Sequence, residues 1–303
     1  MYFRDASAQL NTKDVAKIFS SKEINAVARG DFDFLLKVAS DIYELLGDVF
    51  SVSDVFQESF KVLRSGYKFE YYIKNLIVEK ILIGRYSLNT ATLLNEFRVG
   101  ENKADSVILN GSSTCYEIKS EFDGLGRLSD QLNSYLRIFD KVNVVVGDGH
   151  LSKVEKRIPQ CVGILALSKR HGFTEVRPAL QASESVDVDI LMASLRRHEY
   201  LALVQELYGD IPSAPNTKIY EECRIALEGA DSDKLRSAFC KVLKATRKID
   251  RSYIEGLPVS LLAAGIEYRI SAADKVGLLE NLNLHFSKET LCTTQFLRLS
   301  GTS

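Results

Sequence analysis

The dipeptide Asn110-Gly111 sits between two runs rich in β-forming residues, "ADSVILN" (Ala104–Asn110) and "TCYEIK" (Thr114–Lys119). Asn-Gly between such runs is a strong hairpin signal. Once the two runs are strands, side-chain alternation follows. In the second strand Cys115, Glu117 and Lys119 share one face, and Tyr116 and Ile118 share the other. The expectation is that Ile118 enters the core and that Glu117 and Lys119 meet on the opposite side. Asp105 heads the first strand, so the hairpin brings it to the same sheet end. Two carboxylates and an amine therefore converge where the strands leave the core.

The surrounding pattern is α/β. "TLLNEFRV" (Thr92–Val99) and "KVNVVVG" (Lys141–Gly147) read as further strands, and "VGILAL" and "FTEVRPA" as one or two more. "YKFEYYIKNLIVEKILIGRY" from Tyr67 reads as a helix ending near Gly84. Leu125, Leu128, Leu132, Tyr135, Leu136 and Phe139 form an apolar helical stripe between the third and fourth strands. The order helix, three strands, helix, strand gives an α/β sandwich with a mixed sheet. Helical signal dominates before about Ser65 and after about Ser183. The expected regions are 1–65, 66–182 and 183–303. In the last, Asn216 and Asp233 are read as helix caps.

The 303 residues are 46% hydrophobic and 26% charged, a globular composition, and the net charge is −1. No apolar run reaches bilayer-spanning length. The N-terminus lacks the basic and apolar pattern of a secretory signal. The five cysteines and four histidines are scattered, which argues against a disulfide framework or a zinc site. A cytoplasmic protein is expected, with no membrane partner; a homo-oligomer is allowed.

Two close carboxylates repel unless a positive charge lies between them. Mg²⁺ suits such a pair, because it accepts one or two carboxylates together with waters and phosphate oxygens. A lysine alongside orients water and stabilises developing negative charge. This is equipment for hydrolysing a phosphodiester. A Glu-x-Lys triplet alone carries little weight, since a surface cross-strand ion pair has the same sequence.

More residues join the pattern. Asp105, then Glu117-Ile118-Lys119 across a hairpin, resembles the PD-(D/E)XK nuclease superfamily, with Ala104-Asp105 in place of the usual Pro-Asp. Gln131 and Tyr135 on the next helix are similar to the QxxxY motif of RecB-type members. The wider run of Glu96, "KADSVILNG", "YEIKS", Asp123, "LGRL", Gln131, Tyr135, "IFD" and His150 resembles a bacterial and phage group of that superfamily. The resemblance covers about Gly66 to Ala179. It implies a restriction-endonuclease-like αβββαβ core, Asp105 and Glu117 as metal ligands, and Lys119 as the water-orienting residue. It also implies Mg²⁺ as cofactor, with Mn²⁺ as a substitute. A further acid comes from Glu96 or Glu70, favoured over Glu79. The expected function is a metal-dependent nuclease, a DNA endonuclease more than an RNase. The alternative is a non-catalytic nucleic-acid-binding or assembly protein on the same fold.

Holding a polyanion needs cations that the core lacks. "KLRSAFCKVLKATRKIDR" (Lys234–Arg251) carries seven Lys/Arg and one Asp. On a helix, Lys241, Lys244 and Lys248 share one face. They are expected to bind nucleic acid beside the Asp105/Glu117 cleft. Arg127, at the start of the Gln131 helix, is expected to touch a phosphate.

Overall fold

The computed structural model describes residues 12–66, 70–121, 123–147 and 149–291. The expected start of the helix at Tyr67–Phe69, Asp148 of the "VGDGH" turn and Cys292 lie outside the described residues. No helix among the described residues is long and apolar enough to cross a membrane. The chain divides into two compact units, residues 1–75 with 252–303, and residues 76–251. These boundaries differ from the three consecutive regions read from the sequence. The C-terminal helical stretch is shared: residues 183–251 join the sheet, and residues 252–291 join the N-terminal helices.

The first unit is built from short amphipathic helices, among them Ser21–Ala28, Asp33–Asp41, Val52–Gly66 and Ala272–Asn281. Val49–Ser51 pairs antiparallel with His285–Ser287, joining its two chain segments. Ser51 and Asp54 cap one another reciprocally, the Asp54 carboxylate accepting from Ser51 N at 2.8 Å and the Ser51 hydroxyl accepting from Asp54 N at 3.1 Å. Gly277 is required by close packing, since a Cβ there would lie 2.4 Å from the carbonyl oxygen of Ala28. Residues 70–75 belong here through polar ties. Tyr71 donates to Ser260 O at 2.7 Å, and Asn75 accepts from Ala263 N at 3.0 Å.

The second unit holds a six-stranded mixed sheet in sequence order: β1 (Thr92–Val99), β2 (Asn102–Leu109), β3 (Ser113–Lys119), β4 (Lys141–Val146), β5 (Gly163–Leu167) and β6 (Phe173–Arg177). β1, β2 and β3 form an antiparallel meander. β3, β4 and β5 are parallel, and β6 returns antiparallel. Helix α1 (Leu128–Leu136) makes the β3–β4 crossover. The Asn110–Ser112 loop closes the hairpin with Gly111 at φ 73°, a left-handed conformation that glycine adopts without steric cost.

Both faces of the central strands are buried, which is why "VNVVV" reads as a largely apolar run. Val107, Leu109, Cys115, Val142 and Val144 face one large core. Leu128, Leu132 and Tyr135 of α1 join it, as do residues from the later helices α2 (Val188–Ser194), α3 (Arg197–Tyr208), α4 (Ile219–Glu228) and α5 (Ser232–Thr246). Leu93, Ile108, Tyr116 and Ile118 are buried on the other face. The segment before β1 is not a continuous α-helix: Glu70–Leu76 is α, and Ile77–Ile83 is wound as π-helix.

Both expected caps are displaced by two residues. Asp231, not Asp233, accepts from Lys234 N and opens α5. Helix α4 begins after Lys218, while Asn216 instead accepts from Arg197 at 2.7 Å. Either carboxylate satisfies the generic cap pattern, and only the backbone decides between them.

A buried ion pair ties the later helices to the sheet. Arg247 holds Glu199 with two hydrogen bonds, 2.6 and 2.8 Å, and its guanidinium lies 4.9 Å from the centre of the Phe97 ring. The Glu199 side chain is fully buried. Burial opposes its ionisation, but the Arg247 hydrogen bonds and the Arg196 backbone N–H outweigh that, so its carboxyl sits below the usual range. A folded pKa below the unfolded one stabilises fully above the unfolded value, and that stability is lost as pH falls through the folded value. Arg247→Ala should therefore cost about 3 kcal/mol in urea unfolding at pH 7, because it strands a buried carboxylate. The gap from wild type should narrow as pH falls below the ordinary glutamate range, where the stabilisation from the ionised Glu199 is progressively lost.

Candidate active site at the fork of two strands

Strands β2 and β3 pair over only four rungs, from Leu109↔Ser113 to Ser106↔Tyr116. Each then continues with its other neighbour, β2 with β1 as far as Asn102, and β3 with β4 as far as Lys119. The sheet forks at this point. Asp105 stands at the crotch, and its carboxylate accepts the Ile118 N–H at 2.6 Å, replacing the missing strand-to-strand bond.

Glu117 and Lys119 are the next in-facing residues of β3. They lie on the face of Cys115, Val144 and Val146, under α1. This corrects the expectation that Ile118 alone faces a core. Both faces are covered, and Glu117 is 0% exposed. Lys119 donates to Glu117 Oε1 at 2.6 Å, and Tyr135 Oη lies 3.0 Å from Oε2. The same hydroxyl lies 2.7 Å from Lys103 O, and one phenolic proton cannot serve both acceptors at once. Gln131 also hydrogen-bonds Glu117. Burial pushes the Glu117 carboxyl up, while Lys119, Tyr135 and Gln131 pull it down; the net shift is upward. Burial likewise raises the Tyr135 phenol and the Cys115 thiol.

Glu96 adds a third acid. One of its carboxylate oxygens lies within 4.8 Å of one from Asp105, and it pairs with Lys103 at 3.1 Å. Its backbone is left-handed, φ 53°, in mid-strand. The register is the same on both sides, Asn95↔Ser106 and Phe97↔Ala104, yet the inward alternation changes phase. Leu94 and Val107 face the large core before this rung, and Phe97 and Ala104 after it. Oxygen donors such as those of Glu96 and Asp105 suit a hard divalent cation.

The other expected residues are placed as follows. Glu70 opens the Glu70–Leu76 helix of the first unit and pairs with Lys74 at 2.8 Å. Glu79 pairs with Lys80 in the π-wound segment. Arg127 is exposed at the N-cap of α1. Asp123 closes a turn by accepting from Ser120 N at 2.7 Å, and Asp140 anchors the start of β3 by accepting from Ser113 N at 2.7 Å. His150 has both ring nitrogens buried with no hydrogen-bond partner. Lys241, Lys244 and Lys248 do line one cavity, but Thr92 and Gly111 share its wall. That is the hairpin-loop end of the sheet. Six residues of strand, about 20 Å, separate Gly111 from Asp105. The lysine face is therefore not beside the acids. Sequence reasoning missed Lys103, whose position before Ala104-Asp105 was its only signal.

Comparison with known proteins gives the chain a family. A family model described as Bacteriophage P4 protein cII matches residues 63–263, about two thirds of the sequence. The chain belongs to the phage P4 cII family. One 80-residue stretch is 41% identical to Protein cII of Enterobacteria phage P4, covering 26% of this chain and 30% of that protein. The chain thus spans under a third of the length of that curated relative in the matched region. A solved structure, the SPO1766 protein of unknown function from Silicibacter pomeroyi, is 16% identical over 37% of this chain and 71% of its own, with a TM-score of 0.28. In this cII family member the matched span takes in the whole sheet, α1 and the later helices.

The left-handed Glu96 yields a direct test. A non-glycine residue at that φ costs about 1–2 kcal/mol. The Lys103 pair is partly exposed and contributes little. Glu96→Gly should leave stability unchanged or raise it by up to about 1 kcal/mol in urea unfolding, where mid-strand glycine ordinarily lowers it.

Proposed function

We propose that the second unit is a metal-dependent phosphodiesterase of the PD-(D/E)XK type, built on a restriction-endonuclease-like fold and acting on nucleic acid, with DNA favoured. The observation that carries this reading is the convergence of Asp105, Glu117 and Lys119 at the strand fork, with Tyr135 and Gln131 gripping Glu117. The strand order and directions support it, as does the resemblance of the motifs. The setting would be cytoplasmic.

Asp105, Glu117 and Glu96 would hold the cation, with Mg²⁺ preferred. When bound, the metal supplies Lewis-acid activation of water and neutralises charge on the phosphate. The rest of the chemistry belongs to the chain. Lys119 extends its ammonium from the same strand face as Glu117, where it donates to developing negative charge on the reacting phosphate. Tyr135 and Gln131 fix the Glu117 rotamer by hydrogen bonds. Asp105 is fixed by the Ile118 backbone N–H, whose hydrogen bond its carboxylate accepts. In-line attack by water then breaks the phosphodiester and leaves a 5′-phosphate.

The burial of Glu117 decides how the reading is tested. Glu117→Ala would leave Lys119 buried and unpaired, so the informative variants are Asp105→Asn and Glu117→Gln. Purified protein is incubated with labelled single- and double-stranded DNA and RNA, with Mg²⁺, Mn²⁺ or EDTA. Wild type should cleave DNA with either metal and not with EDTA. Both variants should lose cleavage with an unchanged circular dichroism spectrum. Lys119→Met should slow it at least about 100-fold. Cleavage that survives in Asp105→Asn, or an inert wild type on every substrate and metal, overturns the reading.

A further inference from the structure

The hairpin-loop end of the sheet carries a feature that the fork does not use. A cavity of about 610 Å³ lies between α5 and the turn leading into β1, entirely within the second unit. Lys241, Lys244, Lys248 and Arg251 line it, and no carboxylate does. Leu88, Ala91, Ala245 and Ile249 supply aliphatic walls. Lys241 is engaged by Glu206 at 2.6 Å, and Arg251 donates to Asn89 within the wall. Neither Lys244 nor Lys248 has an ion-pair partner among the described residues.

Cations near a helix C-terminus are ordinary, because they complement the helix dipole. That accounts for the charges of Lys244 and Lys248, but not for a concavity of ligand size with four cations and no acid on its wall. Like charges around one cavity repel and are relieved by an anion. The volume falls within the range of small-molecule sites, and it combines an apolar surface with convergent polar groups. An ammonium rim over aliphatic walls matches a phosphate joined to a flat, weakly polar body.

We propose that this cavity is a nucleotide-phosphate site, with the phosphate held by Lys244 and Lys248 and the base against the Leu88, Ala91 and Ile249 walls. The nucleotide is either free or one unit of a strand; the phosphate chemistry is common to both. At about 20 Å from Asp105 the site is separate from the strand fork. It does not depend on the cleavage reading.

The test is therefore run in EDTA. Wild type and Asp105→Asn are titrated with 2′-deoxyadenosine 5′-monophosphate and with a fluorescein-labelled single-stranded 12-mer DNA at several salt concentrations. Lys244→Glu/Lys248→Glu carries the charge reversal, Lys244→Gln/Lys248→Gln removes charge with less perturbation, and melting curves check that both fold. Lys169→Glu/Arg170→Glu, on the exposed β5–β6 turn, matches the charge change away from the cavity. The cavity reversal should weaken binding tenfold or more and lower the salt slope by about 1.4 for the strand, two contacts' worth. The glutamine pair should move the same way by less, the matched control should change binding under about twofold, and Asp105→Asn should bind as wild type.

Direct binding of the mononucleotide, lost in the cavity variants, identifies a free nucleotide as the occupant. Binding of the 12-mer alone, with the same loss, identifies a strand. The proposal is overturned if neither ligand binds wild type, if the cavity variants bind as wild type, or if the matched control loses as much as they do. Failure of cleavage with Mg²⁺ leaves these binding results standing, so the two readings fail separately.

Discussion

The hydrogen bond from Ile118 N to the Asp105 carboxylate is where the second unit departs from an ordinary sheet. An antiparallel pair normally continues until a strand ends. Here both strands continue and only their pairing stops. Opening a ladder exposes backbone donors that must find partners, or the interior is left with unsatisfied groups. Asp105 supplies one partner with its side chain. The carboxylate thereby becomes part of the fold, and its position is set by backbone geometry instead of a flexible rotamer. Everything proposed for the site depends on this: a hard cation requires fixed oxygens, and a fork in a covered sheet is a place where oxygens can be fixed.

The distortion at Glu96 belongs to the same construction. A strand with a left-handed residue at its middle would ordinarily slip register, yet the pairing sum is preserved on both sides. What changes is the face. The rung of Glu96 and Asp105 resets the alternation of β1 and β2 together, so that Phe97 and Ala104 return to the core immediately beyond the acids. Two carboxylates therefore occupy the edge of a dry core without pulling their neighbours out of it. Strain persists only where surrounding packing over-determines it. Phe97 does so here, packed between Phe139, Phe239 and the Arg247 guanidinium.

The strands were legible because each combines β-branched residues with short length and turn punctuation, and Asn110-Gly111 fixed the register between Asp105 and Glu117. Alternation correctly put Glu117 and Lys119 on one face. It could not show that this face is also covered, because a period of two says which residues share a side and nothing about what lies on that side. Gln131 and Tyr135 were legible as one helix face, and they do meet Glu117. Lys103 was harder to read: besides its side-chain pair with Glu96 it contributes a backbone carbonyl to Tyr135, and a carbonyl has no sequence signature. The displaced caps at Asp231 and Lys218 show the same limit, since a cap depends on the backbone turn more than on residue type.

The lysine face shows how periodicity and position separate. Lys241 and Lys244 share a face of α5 by helical geometry, which sequence was sufficient to show; Lys248 was expected on that face but lies past the helix end at Thr246, and it reaches the same cavity from there. Where the face points was fixed by other contacts. The apolar side of α5, with Leu235, Phe239 and Leu243, is buried in the core under the sheet, and Arg247 at its end is tied to Glu199 while its carbonyl oxygen accepts from the Thr92 hydroxyl. Thr92 begins β1 opposite Leu109, beside the hairpin loop. Once that bond is made, the lysines must line the loop end of the sheet, a strand's length from the acids. The separation gives the second unit two sites of opposite charge at the two ends of one sheet. An extended polyanion engaging both would have to span about 20 Å, roughly six residues of strand. If both proposed sites act on one ligand, the sheet is the spacer between them.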